Sequence, residues 1–344
     1  MRYRTLPNTE LQLSAIALGC WAIGGRWWGD DVDDSAAIDL IQYAWQQGIT
    51  TFDTAPLYGY GHADELLREA LGGRRHDAQI ISKVGVRWQT TSGHPRSDLS
   101  PQHIFTDAEA SLRRLGIDRI PLLLTHWPCE ENTPIAATLQ ALDKLREVGK
   151  IGAYGLCNVG PELLDKALAV APLGALGALQ TPYSMVRRDF EGELRQRCGT
   201  HKHEHEHEHE QDRGRRWQQT LGVLAYEPLC RGLLSGKFCI DGSSKQPPPS
   251  FPESDLRARD PRFQEPAWSR IQPLVQALRL VGDRLEVPPA ALAIAWVLRQ
   301  PGISIALCGA KRRSQLGEHL RAMELLHRER AFTALAPFVA ATRP

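Results

Sequence analysis

Eight short apolar runs recur along the chain with helical stretches between them, and that alternation constrains the fold more than any other feature. The runs are residues 15–18, 49–52, 79–81, 121–124, 151–156, 176–179, 221–225 and 303–307. Three of the intervening stretches carry clear helix signals. Residues 35–47 stop at Gly48, residues 63–71 stop at Gly72, and Ser100-Pro101 opens a helix that runs to Leu115 before Gly116. Serine caps the first free N–H groups, proline at the first helical position has no N–H to leave unpaired, and glycine takes the left-handed turn that ends a helix. Mostly apolar strands separated by helices are parallel and covered on the outside. Eight such units predict an α/β fold, a (β/α)8 TIM barrel built as a single domain over residues 1–344, with a doubly wound sheet as the alternative.

Two segments break the rhythm. Residues 201–216 form a low-complexity insertion that begins HKHEHEHEHE, and residues 238–266 form a long loop rich in Pro, Ser and Arg. In a barrel the loop after strand seven lies on the functional face, whereas the insertion lies in the return segment and is expected at the opposite end. His203 and His207, or His205 and His209, would share a helix face at i, i+4, which raises a metal reading. Alternating acid and imidazole instead makes a nearly self-neutralising solvated surface, and no metal is expected.

Composition narrows the partners. With 42% hydrophobic and 24% charged residues, the chain resembles an average globular protein rather than a disordered or membrane one. Lys and Arg number 41 against 40 Asp and Glu, and a net charge of +1 supplies no field for nucleic acid or anionic lipid. Neither nucleic acid nor membrane is therefore expected as a partner. Residues 1–9 are polar and lack the apolar core of a signal peptide, which predicts a cytoplasmic protein. The seven cysteines are odd in number, scattered and without a Cys-x-x-Cys pair, so they read as reduced thiols.

Just beyond the apolar runs stand Cys20-Trp21, Asp53 and then Tyr58, Lys83, His126-Trp127, Cys157-Asn158, Gln180, Tyr226 and Gly309-Ala310-Lys311. Each alone has a plain structural reading: a capping carboxylate for Asp53, a solvated strand end for Lys83, a hydrogen-bonded core imidazole for His126, a packed ring for Tyr58. Jointly that reading weakens, because Asp, Tyr, Lys and His fall at the same end of consecutive strands, where barrel enzymes place their chemistry.

These residues sit in longer motifs: Gly19-Cys20-Trp21; Phe52-Asp53-Thr54-Ala55-Pro56-Leu57-Tyr58-Gly59; Ser82-Lys83; His126-Trp127-Pro128; Gly155-Leu156-Cys157-Asn158; Gln180-Thr181-Pro182-Tyr183-Ser184; Ala225-Tyr226-Glu227-Pro228-Leu229; Gly232-Leu233-Leu234-Ser235-Gly236-Lys237; and Gly309-Ala310-Lys311 with Gln315-Leu316 and Glu318. In that order, from Leu18 to Leu320, the chain resembles the aldo-keto reductases, most closely their long-loop bacterial members. The resemblance implies a metal-free oxidoreductase that interconverts carbonyls and alcohols by hydride transfer with NADP(H), with NAD(H) as an alternative cofactor. Its substrate would be a small carbonyl compound or alcohol, and its state a monomer or small homo-oligomer.

Transferred by position, Tyr58 is the implied proton donor, Lys83 its charged neighbour, Asp53 the partner that orients Lys83, and His126 the ligand of the carbonyl oxygen. Bringing a tyrosine from pH ~10 to neutrality takes roughly 4 kcal/mol. One ammonium about 4 Å away, at an effective dielectric of ~20, supplies about that much. A lowered Tyr58 pKa is thus expected. For the cofactor, the resemblance implies Asn158 and Gln180 on the nicotinamide amide, Tyr226 stacked on its ring, and Cys20, Trp21 and Cys157 lining the same mouth. Lys237 and the Glu227-Pro228-Leu229-Cys230-Arg231 turn fall at the pyrophosphate. Arg257 closes from the long loop, with Arg259 and Arg262 competing for that place. Gly309, Lys311, Gln315, Glu318 and His319 surround the adenosine, where Lys311-Arg312-Arg313 offers cations for a 2′-phosphate.

Cys157 and Glu227 stand where serines are usual, His319 where an asparagine is usual, and Arg68 where a glycine is usual. A carboxylate at Glu227 repels a pyrophosphate unless it turns away or meets Arg231. Trp27, Trp28, Trp88 and Trp127 are the candidate walls of the substrate pocket and suit an apolar or a sugar-like carbonyl equally. The rival readings are a sugar dehydrogenase that runs towards oxidation with NAD(P)+, and a cofactor-binding regulatory subunit with little turnover.

Overall fold

In the computed structural model, which describes residues 1–25, 33–88, 94–129, 133–172, 174–199, 220–238 and 247–343, eight parallel strands close on themselves in chain order. They are β1 (Ile16–Gly19), β2 (Thr51–Asp53), β3 (Gln79–Val84), β4 (Ile120–Thr125), β5 (Ile151–Cys157), β6 (Leu176–Pro182), β7 (Gly222–Tyr226) and β8 (Ile303–Gly309). The ring closes where β8 pairs with β1, Ala306 opposite Ile16 and Gly309 opposite Gly19. A doubly wound sheet has two open edges, so this closure decides for the (β/α)8 barrel.

The outer layer is α1 (Asp34–Gln46), α2 (His62–Leu71), α3 (Pro101–Leu115), α4 (Ile135–Glu147), α5 (Pro161–Val170), α6 (Glu193–Arg197), α7 (Ala267–Leu285), α8 (Pro289–Leu298), α9 (Arg313–Leu320) and α10 (Glu329–Ala341). The three helices signalled in the sequence appear with their stops. Asp33 caps α1 by accepting from the Ser35 N–H, Ser100 caps α3 by accepting from His103, and Gly72 and Gly116 both have positive φ after α2 and α3.

Apolar side chains pack in two layers. One fills the space between strands and helices, and a smaller one fills the barrel interior with Ala17, Ile81, Leu122, Leu124, Ala153, Ala178, Leu224, Ile305 and Leu307. Leu6 and Leu13 join the inner layer from an antiparallel hairpin, Tyr3–Thr5 with Gln12–Ser14, that plugs the N-terminal end of the barrel. Gly222 leaves room for this plug, since a Cβ there would lie 2.0 Å from Leu6 Cδ1.

The strands run further than their apolar runs. Asp53, Lys83, Cys157, Gln180 and Tyr226 are paired inside the ladders, Lys83 opposite Leu124 and Gln180 opposite Cys157. Polar groups expected beyond the strand ends are therefore carried by hydrogen-bonded backbone. A second hairpin, Val86–Arg87 with Arg96–Ser97, follows β3, and two residues a side are too few to show alternation in the sequence.

The long loop holds two short 3-10 turns, Leu256–Arg259 and Pro261–Phe263, rather than open coil. Phe238, Phe251, Phe263 and Trp268 stack edge to face beneath them, which ties the loop to α7. The insertion at 201–216 lies outside the described residues. Its flanks meet where the Leu221 N–H donates to the Cys198 carbonyl at 3.1 Å, and the Thr220 carbonyl accepts from Asn8 of the plugging hairpin. That places both flanks at the barrel end opposite the strands' carboxyl ends. Among the described residues no helix is long and apolar enough to cross a membrane.

Candidate active site

At the carboxyl end of β3, Lys83 Nζ donates to both Asp53 oxygens at 2.8 Å and to the Thr54 carbonyl at 3.1 Å. Lys83 is only 1% exposed, so a charge of this kind survives only because the carboxylate from β2 meets it. Gln180 Nε2 donates to Asp53 Oδ2 at 2.7 Å, and the Cys157 thiol donates to Gln180 Oε1 at 3.4 Å. Four strands thus converge on one carboxylate.

Tyr58 lies directly above. Its ring centroid is 5.0 Å from Lys83 Nζ, it is stacked on Trp21 at 6.1 Å, and it meets the His126 ring edge-on at 5.9 Å. The backbone enforces this position. Gly59 has φ +61°, and a Cβ there would sit 2.0 Å from the Gly24 carbonyl oxygen, so the Tyr58 turn seats against the loop after β1 only with glycine next to it.

The electrostatics correct one expectation. Burial pushes the Tyr58 hydroxyl well above the ordinary tyrosine range, and the Asp53 carboxylate adds to the rise. Lys83 reaches the ring already paired with Asp53 at 2.8 Å, so the two charges largely cancel at Tyr58 and no net field remains to draw its pKa down. Tyr58 is a neutral O–H through the neutral pH range. Burial, and then the Lys83 charge, hold His126 well below the usual imidazole range. Its Nδ1 is buried with no hydrogen-bond partner. A neutral imidazole and a neutral phenol side by side can each offer a hydrogen bond to an oxygen placed between them, and the phenol can give up its proton.

The residues expected around a dinucleotide form a band running from this pair to α9. The Tyr226 hydroxyl donates to Asn158 Oδ1 at 2.7 Å, and Asn158 Nδ2 donates to the His126 carbonyl at 3.0 Å. Both amides of the expected nicotinamide grip are therefore engaged with the catalytic strands, each with capacity left. Cys20 and Cys157 are buried thiols, and burial raises both, Cys157 to about 12. Pro228 is buried, Leu229 partly so, and the Cys230 N–H is used within the turn, donating to the Glu227 carbonyl at 2.9 Å.

Glu227 is turned away from the turn's open side. Its carboxylate accepts from Arg231 Nε and from Arg262 Nη2, both at 2.9 Å, and Arg262 also holds Asp260. Arg262 belongs to the Glu227 clamp, whereas Arg257 rests on Asp255 and on the Phe251 ring and lies within electrostatic reach of Lys237. Burial, and then the Arg257 and Lys311 charges, hold the Lys237 ammonium below its ordinary value while Asp255 opposes them, so three cations lie within reach of one another. Such a cluster fits a phosphate.

Gly309 ends β8 exposed, and the Lys311 N–H donates to Gln315 Oε1 at 2.9 Å. Of the basic triplet, Arg313 is paired with Asp39 and lies over the Tyr43 ring. Glu318 is exposed on α9, while His319 is buried, with Nδ1 unpartnered and burial drawing its pKa down to about 4. Of the candidate pocket walls, Trp88 stacks on Tyr60 at 5.9 Å and Trp127 lies 5.1 Å from His126. Trp27 and Trp28 lie outside the described residues. The Thr54 carbonyl, which accepts from Lys83, was missing from the expected site, and Arg262, expected only as a competitor of Arg257, instead clamps Glu227. Thr54 stands inside a quoted motif, but a backbone carbonyl leaves no mark in a sequence. Among the described residues no group of His, Cys, Asp or Glu is arranged to hold a metal.

The comparisons agree with this geometry. The model of the aldo/keto reductase family matches residues 15–337. The chain is 34% identical over 319 residues to the aldo-keto reductase YhdN of Bacillus subtilis, covering 92% of this chain and 87% of that protein. It is 30% identical to the NADH-specific methylglyoxal reductase of Escherichia coli, with 94% of each covered. Among solved structures it is similar to the glycerol dehydrogenase AKR11B4 from Gluconobacter oxydans, with a TM-score of 0.82, 32% identity, and 99% of this chain and 97% of that chain covered. A buried Asp53–Lys83–Tyr58–His126 cluster at the strands' carboxyl ends, a closed barrel and a match across nearly the whole length lead to one conclusion: this chain belongs to the aldo/keto reductase family.

Proposed function

We propose that this oxidoreductase interconverts small aldehydes or ketones and alcohols, with NADP(H) as cofactor and Tyr58 as the proton donor. The observation that carries the reading is the buried Tyr58–His126 pair held over the Lys83–Asp53 ion pair. Tyr226 and Asn158 would hold the nicotinamide, which would supply the hydride. Reduction leaves negative charge on the carbonyl oxygen, and the chain's part is to meet it. His126, neutral, donates a hydrogen bond that orients the oxygen. Tyr58, neutral and buried, gives it a proton. The tyrosinate left behind regains its proton from solvent before the next turnover. Asp53 holds Lys83 in place and, through Gln180, ties β6 to the same centre. Burial of this set supports turnover rather than a purely regulatory role, since water must be excluded from a transferred hydride.

Lys237, Arg257 and Lys311 suit the cofactor's phosphates. Lys311 and Arg312 suit a 2′-phosphate and support NADP(H). The name of the Escherichia coli relative supports NAD(H) as the second reading. Fluorescence titration with NADPH and NADH decides between them, followed by a panel of aldehydes, ketones and aldoses in both directions. Replacing Lys311 and Arg312 together with alanine is expected to weaken NADPH at least about tenfold more than NADH, because only NADPH offers the phosphate to a charge-assisted bond. Equal weakening of both contradicts the NADP(H) reading.

A further inference from the structure

The segment from β6 to α6 leaves the catalytic end of the barrel carrying Arg187 and Arg188, and the last described residue, Arg343, comes back beside it after α10. Between them is a cleft of about 490 Å³ lined by these three arginines and by Asp189 and Glu191. The acids are already used. Glu191 accepts from the Tyr183 hydroxyl at 2.7 Å and from Arg343 Nη2 at 2.9 Å, and Asp189 accepts from Arg187 Nε at 3.3 Å. Arg188 is left over: its Nη2 is buried and has no hydrogen-bond partner. Burial lowers its pKa, and Arg343, a like charge, works in the same direction, while Glu191 only partly offsets them. A guanidinium N–H kept from water and facing a second cation is costly unless an anion meets it.

The cleft lies beside the segment that leaves β6 next to Tyr226. The Tyr183 N–H donates to the Tyr226 carbonyl at 3.0 Å, the Ser184 N–H donates to the Arg187 carbonyl at 2.9 Å, and the Arg187 charge acts on the Tyr226 hydroxyl itself. Arg187, on the cleft's wall, is thus within electrostatic reach of the Tyr226 hydroxyl.

We propose that this cleft is an oxyanion subsite, in which Arg188 and Arg343 hold a phosphate or carboxylate carried at the far end of the carbonyl substrate. The proposal rests on the carbonyl-reduction reading and names its substrate class: short aldehydes or ketones with an anionic tail. A bidentate guanidinium suits either oxyanion, and the exposed Arg343 can follow tails of different length.

The test compares glyceraldehyde with glyceraldehyde 3-phosphate on the full chain, using whichever of NADPH and NADH it oxidises. The phosphorylated aldehyde is expected to have a kcat/KM at least about tenfold higher, the factor one charge-assisted hydrogen bond supplies. Arg188→Gln and, as a variant remote from the core, Arg343→Gln should each remove that preference and leave glyceraldehyde unchanged. Inorganic phosphate should compete with the phosphorylated aldehyde. Equal kcat/KM for the two aldehydes in the wild type overturns the proposal, as does a parallel fall for both in the variants. Phosphate that alters glyceraldehyde turnover without any preference for the phosphorylated aldehyde overturns the substrate assignment. If no carbonyl is reduced, the reading of the catalytic site fails by itself. Calorimetric titration of inorganic phosphate then decides the cleft: heat in the wild type that Arg188→Gln abolishes supports it, and equal heat in both overturns it.

Discussion

In the proposed reaction Tyr58 is a donor whose proton burial keeps on, rather than one that a neighbouring cation loosens. Since its pKa is raised above the ordinary value near 10, the O–H persists across the neutral range and is lost only as pH rises beyond that value. His126 is displaced the other way and takes up no proton until the pH falls well below 6.5. The kcat/KM for carbonyl reduction is therefore expected to stay level between about pH 6.5 and pH 9, measured with saturating cofactor. A fall with a midpoint near pH 7 would mean that Lys83 does lower Tyr58. The four proposed catalytic residues were legible from their shared strand-end position and from the family motifs that hold them, but their charge balance was not. That depended on the Lys83–Asp53 distance, which makes the pair nearly neutral as seen from Tyr58.

Strands carry the site, and turns aim it. The sequence showed where β2, β3 and β6 begin, because apolar residues face both layers there. It hid where they end, because Asp53, Lys83 and Gln180 are polar yet still paired in the ladder. The long loop read as surface from its Pro and Ser content, while the Phe238, Phe251, Phe263 and Trp268 cluster that folds it down is spread over thirty positions without a period. Gly59 is the element-scale test of aim. Gly59→Ala must shift either the Tyr58 turn or the Gly24 carbonyl, and is expected to cut kcat by about 10²-fold while cofactor affinity changes little; wild-type turnover would show that the turn tolerates a side chain. The His-Glu insertion is the opposite case. With both flanks beside the plugging hairpin, a Gly/Ser linker in place of residues 203–210 should leave turnover and cofactor affinity unchanged and remove any affinity for nickel or zinc. Loss of activity in a variant with unchanged melting would contradict that placement.

For the molecule as a whole, stability is tied to pH through groups the fold buries. His319 titrates at about 4 in the folded chain against 6.5 in an unfolded one. The unfolded state therefore takes the proton first, and stability is lost as pH falls from 6.5 towards 4. The loss amounts to roughly 3 kcal/mol. Asp107, raised by burial to about 7, acts in the other direction, its contribution fading as pH rises through 7. His319→Asn should flatten the acid arm of a melting-temperature profile between pH 6.5 and 4 and leave the neutral arm alone. A variant with the wild-type slope would show that His319 is solvated in the fold. The eight repeats pointed to a barrel, and the pairing of β8 with β1 settled it against an open sheet. The plug by residues 3–14 was not, since its strands are three residues long and its two buried leucines resemble any loop's apolar residues.

The most direct measurement of the central claim is steady-state carbonyl reduction by Tyr58→Phe, beside its NADPH affinity from fluorescence titration. The variant keeps the ring stacked on Trp21 and loses only the O–H, so kcat is expected to fall by at least about 10²-fold with affinity nearly unchanged. Wild-type turnover in Tyr58→Phe would contradict the assignment of the proton donor.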